Sequence, residues 1–191
     1  DVAVLGWNVD YWDYLGWKDR FGHENATPRQ RAYGAALARG RVYTPQMVID
    51  GEVEFVGSRG ATAVEAVNAA VKGEAFPITI SMMASDDIKT AITLGPTPKG
   101  MTSSHLRTYV AVTEDNLVSE VKAGENRGRT LHHDGVVREV TELAMVTRDA
   151  APGTFETQLK KGWKRADLNV VVWVQDMRTL QVVGAATAKV R

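Results

Sequence analysis

Hydrophobic and polar positions divide the chain into two regimes. Up to about residue 73, apolar residues come in a continuous run or at helical spacing; beyond it they alternate with period two. The opening run, Asp1 to Val9, is apolar on both faces and predicts a strand covered on both sides. Thr27 predicts a helix cap with Pro28 at the first helical position, and Arg29 to Arg39 carry the helix to a stop at Gly40. Pro45 predicts the first residue of a strand, because a residue without an N–H cannot sit in mid-ladder. Asp50-Gly51 predicts a hairpin turn, with Val53, Phe55 and Val56 on the return strand. Ser58 predicts the cap of a second helix, in which Val64, Val67 and Val71 repeat at helical spacing before Lys72-Gly73 close it.

Glu74 to Pro77 is expected to be a linker. Seven strands are then predicted: Ile78–Met82, Ile88–Leu94, Leu106–Thr113, Val136–Met145, Thr154–Leu159, Asn169–Gln175 and Gln181–Val190. The turn signals are Ser85-Asp86-Asp87, Gly95 to Gly100, Glu114-Asp115-Asn116 and Ala151-Pro152-Gly153. Short strands with no helix between them predict an antiparallel β-sandwich.

Composition narrows the function classes. Of 191 residues, 44% are hydrophobic and 24% charged, which is ordinary for a globular chain. Lys plus Arg and Asp plus Glu both total 23, so no global field draws in nucleic acid or an anionic membrane. No apolar run has the length of a membrane helix. There is no cysteine, hence no disulfide, thiolate metal site or cysteine nucleophile within this chain.

Candidate chemistry concentrates near the start. Six aromatic residues lie between Trp7 and Phe21 with three acids, Asp10, Asp13 and Asp19, among them. Such a cluster after a strand is where α/β folds bind ligands, and equally where indoles cover a sheet edge. Asp10 and Asp13 read either as a proton relay or as structural acids bonding to the loop, with the structural role favoured. His132-His133-Asp134, with His105, invites a metal reading that is disfavoured: neighbours on a strand face opposite ways, although in a loop they could share an ion, and no second ligand cluster exists. Hydrogen bonding around the loop Gly124–Leu131 is the expected role of these histidines. Gly95 to Thr102 imitates a phosphate loop, but its lysine precedes the second glycine and no helix follows. Lys160 to Arg165 predicts a solvated turn.

Four stretches carry a family resemblance: Trp7 to Asp19, Gln30 to Tyr33, Tyr43 to Gly51 and Gly124 to Leu131. Together they resemble the bacterial DUF1223 family, mostly exported proteins with a thioredoxin-like domain. The resemblance implies a thioredoxin-like domain over 1–73, apparently lacking its first strand–helix unit, followed by a β-sandwich over 74–191. Members typically carry a strand, a Cys-x-x-Cys-Pro segment and a helix upstream of the Trp7 motif, so this chain is expected to be a fragment. The missing strand would lie between Val2–Val9 and Gln46–Ile49, leaving both with unpaired backbone groups. The resemblance also implies a cis peptide before Pro45. Thr44, Pro45, Tyr11 and Trp12 would then contact a protein or peptide thiol or disulfide substrate, with no cofactor and a periplasmic or secreted location. Two functions follow as expectations: thiol–disulfide oxidoreductase when upstream cysteines are present, or a non-enzymatic module that captures a peptide or small ligand. Without a thiolate this chain alone is redox-inert.

Overall fold

In the computed structural model, residues 2–71, 75–97, 100–124, 126–145 and 153–191 are described. Helices α1 (Ala26–Leu37) and α2 (Gly60–Ala70) flank the hairpin of β1 (Gln46–Ile49) and β2 (Val53–Val56). Then come β3 (Ile78–Met82), β4 (Ile88–Leu94), β5 (Leu106–Glu114), β6 (Leu117–Glu120) and β7 (Thr130–His133). The chain ends with β8 (Val136–Met145), β9 (Gly153–Thr157), β10 (Leu168–Asp176) and β11 (Val182–Lys189). The fold is mixed α/β, with two helices and several antiparallel sheets among the described residues.

Two sheets build the main core. One has the order β11-β10-β5-β8 and the other β3-β4-β9, all antiparallel. Period-two alternation directs Val110 and Val112 of β5 and Val170 and Val172 of β10 to one side, where they meet Ile88 and Ile92 of β4 and Phe155 of β9. Each of these side chains is buried. Removing this apolar area from water is the dominant favourable term for the pair of sheets.

The opposite face of the four-stranded sheet is covered as well. Ala111, Val137, Val171 and Trp173 point outward and pack against Ala3, Leu5 and Trp7. The opening segment is therefore not the regular strand its pattern predicts. It makes only isolated parallel bridges, Gly6 with Val136 and Asn8 with Gly22, and leaves Val2 and Val4 exposed. Its apolar residues serve as a cover laid across the sheet.

Other expectations are corrected locally. Asn25, not Thr27, stands at the N-terminus of α1, and the Thr27 hydroxyl donates instead to Asp10 Oδ1 at 2.6 Å. Arg59 rather than Ser58 precedes α2, with no side-chain cap. The predicted linker contains an anchor. Phe76 is buried among Leu106, Val174 and Val183, and its N–H donates to Val183 O at 2.7 Å. The predicted end of the second helix at Lys72-Gly73 and the start of the linker at Glu74 lie outside the described residues, as do Pro98-Lys99 and Ala151-Pro152.

Two short strands, β6 and β7, were not foreseen; they pair as a hairpin that closes the loop containing Gly124. The turn at Glu114-Asp115-Asn116 holds, with Asn116 in the left-handed region and Asp115 accepting from Gly135 N and Asn169 Nδ2. The Lys160–Arg165 stretch is more than a solvated turn. Trp163 packs on the main core, and Arg165 donates to the carbonyls of Arg191, Ser85 and Asp87.

Phe76 offers a direct check on this packing. Phe76→Ala should lower unfolding free energy by about 3–5 kcal/mol, the usual cost of emptying a phenyl site. Urea denaturation followed by far-UV circular dichroism measures it; a loss below 1 kcal/mol, roughly, would mean that the segment is not docked.

Candidate functional site

The β1–β2 hairpin is fastened at both ends. At its tip, Asp50 and Gly51 both have positive φ, as a tight antiparallel turn requires. Asp50 O accepts the Val182 N–H at 2.7 Å, and Gln181 Nε2 donates to Glu52 Oε1 at 2.6 Å. A Cβ at Gly51 would overlap the Leu180 carbonyl, so glycine is needed there for closeness as well as for φ. At its base, the Thr44–Pro45 peptide is cis, and Pro45 O accepts the Gly57 N–H at 2.8 Å.

This hairpin, the opening segment and α1 stand as walls around the outer sheet face. They enclose a cavity of about 1230 Å³. Its floor includes Val171 and Trp173 of β10 and Val182 of β11; Leu5 and Trp7 form one wall, and Thr44 to Ile49 another.

Backbone polarity gives the walls their character. Because Pro45 O receives Gly57 N–H, the alternation of an antiparallel ladder turns the peptide groups of Met47 and Ile49 toward β2. Those of Gln46 and Val48 then face the other way, where no strand pairs with β1 among the described residues. The opposite wall is similar. Gly6 donates to Gly135 O at 2.7 Å and accepts from Val137 N at 3.0 Å, so Leu5 and Trp7 direct their peptide groups away from β8. Both walls thus present backbone donors and acceptors without a ladder partner among the described residues, which folded chains rarely leave idle.

The sequence-predicted residues divide between the cavity and its rim. Thr44 and Pro45 line it and are exposed. Tyr11 and Trp12 do not line it, but are tied to its edge: Trp12 Nε1 donates to Thr44 Oγ1 at 3.1 Å, and Tyr11 OH donates to Gln30 Oε1 at 3.0 Å. Gln30 Nε2 in turn donates to Tyr43 O at 2.7 Å, so one glutamine links the aromatic loop to the residue preceding Thr44. Asp10 accepts from Thr27, and Asp13 Oδ1 accepts the Asp19 N–H at 3.1 Å. Each aspartate spends an oxygen on a local bond. His132 is exposed at the end of β7, while His133 is half-buried and bonded to Ser119 Oγ at 3.2 Å.

Three residues that line the cavity were not singled out individually as site residues: Arg29, Tyr33 and Trp173. Arg29 and Tyr33 are four apart on α1 and so share a face, which was the available signal. The guanidinium lies 5.4 Å from the Trp7 ring, 5.1 Å from Tyr33 and 5.4 Å from Trp173. It donates to Tyr33 OH at 2.9 Å and, at 3.4 Å, to Gln175 Oε1. Gln175 is buried and donates to Tyr33 OH at 2.9 Å and Leu180 O at 2.6 Å.

A family model described as protein of unknown function (DUF1223) matches residues 1–175. The chain belongs to this family. The DUF1223 chain is similar in fold to protein AGR_C_4864 from Agrobacterium tumefaciens, solved by crystallography, with a TM-score of 0.69 and 23% identity. The match covers 98% of this chain and 80% of that one. A domain of the outer membrane lipoprotein Omp28 from Porphyromonas gingivalis is a remoter match, with a TM-score of 0.41 and 16% identity over 61% of this chain and 88% of that chain. No curated protein matches the sequence. Among the described residues, no helix is long and apolar enough to cross a membrane.

The histidines near the cavity set a pH response. Burial lowers the pKa of His133 from 6.5, with Asp19 opposing; burial likewise lowers that of His23, with Glu24 opposing. A depressed histidine favours the neutral ring in the folded state, so below pH 6.5 the unfolded chain binds more protons. Stability should hold above this pH and fall as pH drops through it, levelling once the folded rings protonate. Melting temperature measured from pH 8 to pH 5, roughly, should show this decline, and His133→Gln should make it shallower.

Proposed function

We propose that this DUF1223 chain is a binding module that takes an extended peptide segment into the cavity as an added strand. The carrying observation is that two stretches lining the cavity carry peptide groups, those of Leu5 and Trp7 and those of Gln46 and Val48, that lack ladder partners among the described residues above an apolar floor. An extended chain supplies the complementary donors and acceptors along its whole length, and its alternate side chains can rest on Val171 and Trp173. The proposal treats residues 1–73 as a thioredoxin-like part and 74–191 as the sandwich that floors the cavity. The order helix, cis-proline, hairpin, helix supports that plan.

A second reading is favoured by one specific feature. The exposed cis Thr44–Pro45 pair lines the cavity, as expected where a thioredoxin-like protein meets a thiol or disulfide substrate. This chain has no cysteine. Exchange would need a dithiol supplied from outside this sequence, because the thiolate is the attacking group. Location in the periplasm or outside the cell belongs to both readings through the family resemblance.

Fluorescence anisotropy with a labelled peptide of alternating valine and threonine tests the first reading. Saturable binding is expected. Val48→Pro removes the N–H turned away from β2 and should weaken binding about tenfold, the worth of one good hydrogen bond plus its fit. The melting temperature should change little, since that N–H serves no bond within the hairpin. Absence of saturable binding to the unsubstituted chain would remove the reading.

A further inference from the structure

Arg29 is unusual among the charged residues around the cavity. It is half-buried and ringed by Trp7, Tyr33 and Trp173, yet no carboxylate pairs with it among the described residues. Four acids line the same cavity, and none bonds to Arg29 among the described residues: Asp50 stands at the hairpin tip, where its backbone carbonyl accepts from Val182 N, and the side chains of the other three have partners of their own. Asp19 accepts from Asn8 Nδ2 and Phe21 N, Glu52 from Gln181, and Asp134 from Asn116 N. A guanidinium offers five N–H donors, and Arg29 uses one on Tyr33 OH and one, at 3.4 Å, on Gln175. The rest of the fork has no protein acceptor among the described residues.

A second orphan lies beside it. Trp173 is 1% exposed, and its Nε1–H has no hydrogen-bond partner among the described residues. A buried indole N–H normally finds an acceptor, since leaving it bare forfeits its hydration without return. The ring is the one whose centroid lies 5.4 Å from the Arg29 guanidinium, and both residues line the cavity. An uncompensated cation and an uncompensated donor therefore sit together on an apolar floor.

We propose that Arg29 and Trp173 form a carboxylate site at the bottom of the cavity. A carboxylate has the planar, two-oxygen geometry that a guanidinium fork matches, and its negative charge answers a cation that no acid balances. The indole N–H supplies a further donor. The surrounding rings replace part of the water around the pair, which strengthens it, and hold the guanidinium by cation–π contact. The site rests on the cavity being a ligand site and names the group it selects: the free C-terminus of an extended peptide, or a small organic acid. Both offer the same chemistry.

Titration calorimetry separates the sources and the outcomes. The probes are the alternating valine–threonine peptide as free acid, the same peptide amidated at its C-terminus, and benzoate. The free acid should bind at least about tenfold tighter than the amide, in keeping with a charge-assisted pair. Arg29→Gln should bring that ratio close to one. Trp173→Phe keeps a ring against Tyr109 and should reduce the ratio several-fold; it serves as the readout if Arg29→Gln does not fold. Benzoate binding that is lost in Arg29→Gln, without a free-acid preference, assigns the site to small acids. If benzoate binds and neither peptide does, the carboxylate site stands and the peptide reading falls. Equal binding of acid and amide, with no benzoate uptake, overturns the carboxylate site and leaves peptide capture intact. No binding by any probe overturns both.

Discussion

Strand β10 cannot be left to water on either face. Leu168, Val170, Val172 and Val174 point to the core between the two sheets, while Val171 and Trp173 point the opposite way and are as deeply buried. One face is closed by β3-β4-β9. The other must be closed by something outside the sandwich, and that demand organises the N-terminal third. The opening segment and α1 cover part of the face, and the hairpin stands across from them. Where the cover is incomplete, the cavity remains.

The balance between cover and cavity explains where polar chemistry collects. A fully covered apolar face would have no use for an arginine. Arg29 instead stands where the opening segment, α1 and β10 meet, with ring faces around it and buried Gln175 and Tyr33 bonded beneath. Gln30, next in sequence, turns to the rim and holds Tyr11 and the Tyr43 carbonyl. One turn of α1 thus serves both the floor and the rim.

Much of the antiparallel sheet structure was legible in the sequence. The seven strands read by alternation match β3, β4, β5 and β8 to β11 with ends displaced by at most two residues, because period-two patterning and turn residues reported the same boundaries. β6 and β7 escaped because each has four residues and is bounded by a loop that reads as irregular. The hairpin at Asp50-Gly51 and the cis bond before Pro45 were also legible, one from turn chemistry and the other from the resemblance. The start of the chain was harder. Val2 to Trp7 has the composition of a buried strand, and composition cannot tell a residue paired in a ladder from one laid flat on another sheet. Thr27 misled for a related reason: a hydroxyl that caps a helix and one that holds a neighbouring aspartate look the same in one dimension. Arg29 and Trp173 are 144 residues apart, and no local pattern could bring them together.

The fastening of the hairpin has a mechanical consequence. Its tip is locked to the turn between β10 and β11 by the Asp50 carbonyl, the Glu52 side chain and the close seat of Gly51. Its base is joined to the aromatic loop through side-chain bonds alone, from Trp12 to Thr44 and from Gln30 to Tyr43. With its tip tied to the sheet and its base continuous with the chain to α1 and α2, this wall of the cavity is braced at both ends.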